Sequence, residues 1–230
     1  MPEKPKKQPA ERDPPRLPEQ AGQPEQPEVL PRPDPVAARD MLLEGSPIEE
    51  HAFADLDLSG ERIGSLTVSG SVLERVSFAN CEIGSLRLRD VRLTGCDLSN
   101  ARIRSFEATR VEFQRCRLVG LVAPKSNWQS VLLDTANARF AQLNDSRLRR
   151  SEFRETHFGE AVLSRCDLAE SRFAQTILRQ ADMTGTRLKD LDLRSCDIEG
   201  MQVAVEDLHG ARVSAAQALE LTRLLGVVIE

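Results

Sequence analysis

Tyrosine is absent from the 230 residues, tryptophan occurs once, and aromatic residues make up 4% of the chain. One common proton donor is therefore missing. The three histidines, His51, His157 and His209, come without a Ser-His-Asp spacing, an HExxH segment or a phosphate-cradling glycine loop. No apolar stretch nears the roughly 18 residues that cross a bilayer. The N-terminus, MPEKPKKQPAERDPPRLPEQ, lacks the apolar heart of a secretory signal. The five cysteines form no CxxC pair and no Cys/His cluster of zinc spacing. These absences leave no catalytic residue, cofactor or metal site to name. They point to a non-enzymatic protein of a reducing cytoplasm.

Proline is scarce after residue 35, because residues 1–35 hold 11 of the 13. That segment has too little apolar surface to offset chain entropy and is expected to be disordered. Its Pro-x-x-Pro spacings suit either a spacer or a recognition segment. Residues 36–50 read as an N-terminal cap: a helix over 36–44, with Asp34 as N-cap, Pro35 in the first turn and Gly45 as the stop. At the other end, residues 214–230 read as a helix and a short strand. Ser214 and Gln217 form a capping box, Ala218, Leu221, Leu224 and Leu225 one apolar stripe, Gly226 a stop, and Val227–Ile229 the strand.

Between the caps, residues 51–213 count in fives. Every fifth residue from Phe53 to Val213 gives 33 positions without a slip. Thirty are Leu, Ile, Val, Phe, Met or Trp; the exceptions are Ala108, Ala123 and Ala138. The residue two places earlier is Ala, Cys, Ser, Thr or Val in 23 of the 33. Helices repeat at 3.6 and strands at 2.0, so a period of five marks a repeat architecture. The large residue and the small one two before it share a side of an extended backbone and point inward. The next two residues, rich in Gly, Ser, Asn, Asp and Arg, turn a corner. All five cysteines, Cys81, Cys96, Cys116, Cys166 and Cys196, occupy the small inward position and read as buried hydrophobes. Cys96 and Cys116, one coil apart, are the pair best placed to bridge.

Units such as CDLSN, ARIRS, CDLAE, SRFAQ and ADMTG resemble the pentapeptide-repeat family, whose motif is roughly A(D/N)LXX. The resemblance implies an all-β solenoid: a right-handed quadrilateral β-helix with four pentads per coil, a short N-terminal helix and a C-terminal capping helix. Some members of that family resemble B-form DNA in size and negative charge and bind type II topoisomerases. In gyrase-binding members, C-terminal elements also join two rods end to end.

Charge tests the first of these implications. Residues 51–230 hold 25 acids and 24 bases, so the rod is near neutral and no wall carries an acidic stripe. DNA mimicry needs a strong anionic field. The expected function is therefore interaction or scaffolding, with flat walls presented to a protein partner. A DNA-mimicking modulator of gyrase is the alternative. Interleaved signs argue against direct nucleic-acid binding and suggest cross-strand pairs.

Two features on the walls are candidate partner sites. The cluster Arg147, Arg149 and Arg150 is the densest basic spot. Trp128 lies in the segment APKSNWQS, where Pro124 would remove a ladder donor and distort a coil. The other reading sends the indole inward, into space left by Ala136 and Ala138. Leu221, Leu224 and Leu225 are expected to form either a lid over the last coil or a homodimer contact.

Overall fold

The computed structural model describes residues 30–226. Residues 1–29 of the proline-rich segment and the expected strand Val227–Ile229 lie outside the described residues. Leu30–Asp34 already belong to the fold: Pro31 O accepts from Ala52 N, and Asp34 Oδ1 accepts from Val36 N and Ala37 N. Helix α1 then runs Pro35–Glu44 and ends on Gly45 in a left-handed conformation. Its Ala38 and Leu42 are buried over the first coil.

The rest is a parallel β-solenoid, and its arithmetic is visible in the pairing. Phe53, Leu73, Leu93, Phe113, Leu133, Phe153 and Phe173 are successive register partners, each 20 residues from the next. Four pentads therefore complete one coil and give four walls. One wall carries a ladder of eight rungs, from Asp57 through Asp97 and Asn137 to Asp197. Every large inward position from Phe53 to Val203 is buried, so one continuous core fills the axis. At about 1.5–3 kcal/mol for each fully buried Leu, Ile or Phe, this column is the main source of stability.

The corners have two recurrent devices. Twenty-one non-glycine corner residues adopt positive φ, all at positions divisible by five. A left-handed residue costs roughly 1–2 kcal/mol, and the coil-to-coil hydrogen bonds hold it there; Asp55 N, for example, donates to Glu74 O. Ser65, Ser85 and Ser105, successive register partners in one corner column, do not share this conformation. In the second device, an outward Asp accepts the N–H two residues on, as in Ser59 N to Asp57 Oδ1, Ser99 N to Asp97 Oδ1 and Thr184 N to Asp182 Oδ1. Coil-to-coil bonds skip these N–H groups. Pro124 sits at the same corner position, so it removes no ladder bond. Its neighbours keep theirs, Ala123 N to Gln142 O and Lys125 N to Asn144 O, and the coil is not distorted.

The small inward position does more than save space. Cys81 Sγ donates to Leu58 O, Thr156 Oγ1 to Leu133 O, Thr176 Oγ1 to Phe153 O and Thr186 Oγ1 to Leu163 O, each 23 residues back. A buried carbonyl left without a donor would cost about 1–3 kcal/mol. Short side chains carrying one donor therefore fit here better than larger apolar ones. All five cysteines are free and buried. Burial raises the Cys166 thiol to about 11, and the adjacent Cys96 side chain together with burial raises Cys116. Native protein should therefore react slowly with a colorimetric thiol reagent, and all five thiols should react fast in denaturant. Fast native labelling of Cys116 or Cys166 would show that the small position does not face inward.

The sequence frame runs to Val213, but the geometry changes earlier. Val205–Leu208 form a 3-10 turn in place of an extended wall. The cause is Glu206, which occupies the inward position and cannot be buried there uncompensated. Asp207 turns in instead, and its Oδ2 accepts from Gly185 N at 2.7 Å. Leu208 and Val213 are only half-buried.

Candidate functional site

The outward residues pair across coils. Arg75 binds both carboxylate oxygens of Asp55, Arg110 those of Asp90 and Arg165 those of Asp145, always 20 residues apart. The Arg165 guanidinium holds the Asp145 carboxyl down at about 2. The interleaved signs read from the sequence are thus matched pairs. The basic cluster is largely spent in the same way: Arg149 pairs with Asp167 and Arg150 with Glu170. Arg147 stands on the same wall, between Asn127 and Asp167 in the ladder.

Trp128 offers no surface. It is 0% exposed, stacks on Phe113 with ring centroids 6.0 Å apart and meets Phe106 edge-on at 5.3 Å. This corrects the expectation of a partner contact there. The register gives the reason. Ala108 is the ladder partner of Trp128, so the reversed pentad, large Phe106 and small Ala108, provides room for an indole one coil along. The Nε1 donor finds no partner among the described residues.

The C-terminal end is closed mainly by polar side chains. Helix α2 spans Ala215–Leu221, with the expected capping box at Ser214 and Gln217. Gln217 Nε2 donates to both Leu193 O and Cys196 O at 2.8 Å. Gly200 N donates to Glu220 Oε1, and Arg223 donates to Met201 O. Residues 217, 220 and 223 therefore satisfy the free edge of the last coils. Leu221 and Leu224 pack partly buried against the core. Leu225 does not join them: a 3-10 turn over Thr222–Leu225 rotates it out of the stripe, leaving it 63% exposed. It lines a concavity of about 220 Å³ with Val205, Leu208 and Val213.

Between Phe53 and Val203 one large apolar side chain is exposed among the described residues: Phe140, at 43%. It is a corner residue with φ +60, where a bulky aromatic is a genuine outlier. The same corner column holds Asn80, Asn100 and Gly120 below it and Glu160, Gln180 and Gly200 above. Phe140 N donates to Gly159 O, and the Arg139 guanidinium lies over the ring at 4.8 Å. Arg139 also reaches Glu160.

The wall that Phe140 borders differs from the others. Its outward ladder reads Arg102, Val122, Gln142, Val162, Asp182, Gln202. Above Arg102 it carries two valines, two amides and a single charge. Asp182 accepts from Thr184 N and makes no ion pair among the described residues. Arg165, whose field reaches it, is held by Asp145. Above Phe140 this wall is recessed into a concavity of about 490 Å³, lined by Glu160, Val162, Gln180, Asp182, Gly200 and Gln202. Sequence reasoning missed this site. The available signal was an aromatic, Phe140, at a corner position otherwise polar or glycine.

Among the described residues no helix is long and apolar enough to cross a membrane, and no group of three or more His, Cys, Asp or Glu could hold a metal ion. A family model described as pentapeptide repeats matches residues 133–168 and 161–200, with 8 copies. Among solved structures, full-length QnrB1, a plasmid-mediated fluoroquinolone resistance protein, is 23% identical. The match covers 80% of this chain and 91% of that one, with a TM-score of 0.35. HetL from the cyanobacterium Nostoc sp. strain PCC 7120, involved in heterocyst differentiation regulation, is 17% identical over 73% of this chain and 87% of its own, with a TM-score of 0.27. No curated protein sequence matches. The architecture rests on the 20-residue register and the repeat match, not on these overlays.

Proposed function

We propose that this chain, which carries pentapeptide repeats over residues 133–200, is a non-enzymatic interaction rod that presents a wall to a protein partner. The observation that carries this reading is Phe140: a large aromatic left exposed on a wall whose other large apolar side chains are buried or half-buried. Solenoids commonly bind through extended walls of this kind.

DNA mimicry directed at gyrase is a weaker reading. The carboxylates that would supply an anionic field are neutralised pairwise by Arg75, Arg110, Arg165 and others. Self-association has one specific support, the apolar concavity at Leu225 beside exposed Val205.

A photo-crosslinking amino acid placed in turn at positions 140, 150 and 225 in the source cells separates these readings. The expected result is a discrete heterologous protein adduct at 140. An adduct only at 150 would move the site to the arginine cluster. A self-adduct at 225 would indicate the end-to-end dimer. No adduct at any position would refute the interaction function. Purified protein at low micromolar concentration should leave gyrase supercoiling unchanged; clear inhibition would restore the mimic.

A further inference from the structure

Building on the interaction reading, we infer that the wall beside Phe140 binds an extended peptide segment of a protein partner, in which an apolar side chain and a cationic one stand four residues apart. The apolar anchor packs on the exposed part of the Phe140 ring, whose orientation is fixed by Arg139 at 4.8 Å. Rigid aromatics held in this way lose little entropy on binding and are typical hot-spot residues. The cationic side chain lies in the concavity of about 490 Å³, where Asp182 is the one charge of its ladder above Arg102.

The spacing follows from the fold. Asp182 lies two coil rises above Phe140 and two residues along the wall, roughly 12 Å in all, and in an extended peptide side chains four residues apart face the same way and span about 13 Å. Charge selects a cation. One oxygen of Asp182 is committed to the backbone at Thr184, which leaves the carboxylate fixed and open on its other side. Glu160 adds negative charge at the rim but is engaged by Arg139. Gln180 and Gln202, which also line the recess, supply amide donors and acceptors for the peptide backbone. An anionic or wholly apolar segment would leave Asp182 buried and unpaired, a costly outcome.

The test is selection from a random peptide-display library on the intact protein, followed by affinity measurement of the enriched peptides. Two variants are chosen to keep the fold. Phe140→Asn puts at this corner the residue that Asn80 and Asn100 already supply in the left-handed conformation of the same column. Asp182→Asn keeps an oxygen for Thr184 N and removes only the charge. Enrichment of apolar-x-x-x-Lys/Arg is expected, over apolar-x-Lys/Arg and apolar-x-x-Lys/Arg. Phe140→Asn should weaken binding by roughly tenfold or more. Asp182→Asn should weaken it about fivefold and abolish its salt dependence. Both variants should melt with the wild-type protein. No enrichment of this spacing, or equal binding by the variants, overturns the site. A heterologous adduct at position 150 would in that event leave the interaction function standing without it.

Discussion

Leu98→Asp should leave no cooperatively folded protein, whereas Arg102→Ala, four residues on, should be indistinguishable from wild type in a thermal melt. Leu98 is 1% exposed in a column that is buried from Phe53 to Val203. An aspartate there has no water and no cation within reach, and an isolated buried carboxylate costs far more than the stability of a typical domain can absorb. Protonation would reduce the penalty but leave an unsatisfied hydroxyl and a cavity, which together still cost several kcal/mol. Leu168→Asp should behave alike, on the opposite wall. Arg102 points outward from the ladder between Glu82 and Val122. Losing an exposed side chain there should change stability by less than about 0.5 kcal/mol. Circular dichroism melts of the three variants suffice. Comparable effects at Leu98 and Arg102 would mean that the frame of five has been assigned to the wrong residues.

Gln217→Glu should be the most damaging one-atom change on the chain. The amide spends both hydrogens on Leu193 O and Cys196 O, while its oxygen takes Ser214 N. A carboxylate would set negative charge against two carbonyl oxygens, lose two bonds and stay largely buried. Stranding the partners costs about 1–3 kcal/mol each, enough to detach a seven-residue helix. Coils contact only their neighbours, so the damage should stay local: the main melt persists, but the uncovered edge templates association. Light scattering should rise with concentration for Gln217→Glu and much less for Gln217→Met, which keeps shape without charge. A Gln217→Glu protein that stays monodisperse and melts within a degree or two of wild type would show that α2 does not guard the edge.

The residues that the sequence identified well are those whose role is set by the repeat. The inward column, the N-cap at Asp34 and the box at Ser214 and Gln217 each follow from a local rule with few competitors. Trp128 was ambiguous, because a period of five says which way a side chain points but not whether the next coil has room for it; Ala108, 20 residues away, decides that. Glu206 shows the opposite limit. The count of five continues through it, yet a charge at the inward position makes the wall fold as a turn. The polar closure by Gln217, Glu220 and Arg223 was hidden behind a more obvious leucine stripe, since edge carbonyls leave no mark in the sequence of the residues that own them. Phe140 was in plain sight, but a corner aromatic stands out only once corners are known to be left-handed.

The pairing of Asp55 with Arg75, Asp90 with Arg110 and Asp145 with Arg165 also limits how such a rod can grow during evolution. Adding five residues would keep every large side chain on the axis. It would also turn each later wall by a quarter, separate every acid from its arginine across the joint, and move the recess at Asp182 away from Phe140. Only a gain or loss of 20 residues leaves side chains facing their own partners. The core therefore tolerates single-unit insertions that the surface does not, and lineages carrying this surface should differ in length by whole coils.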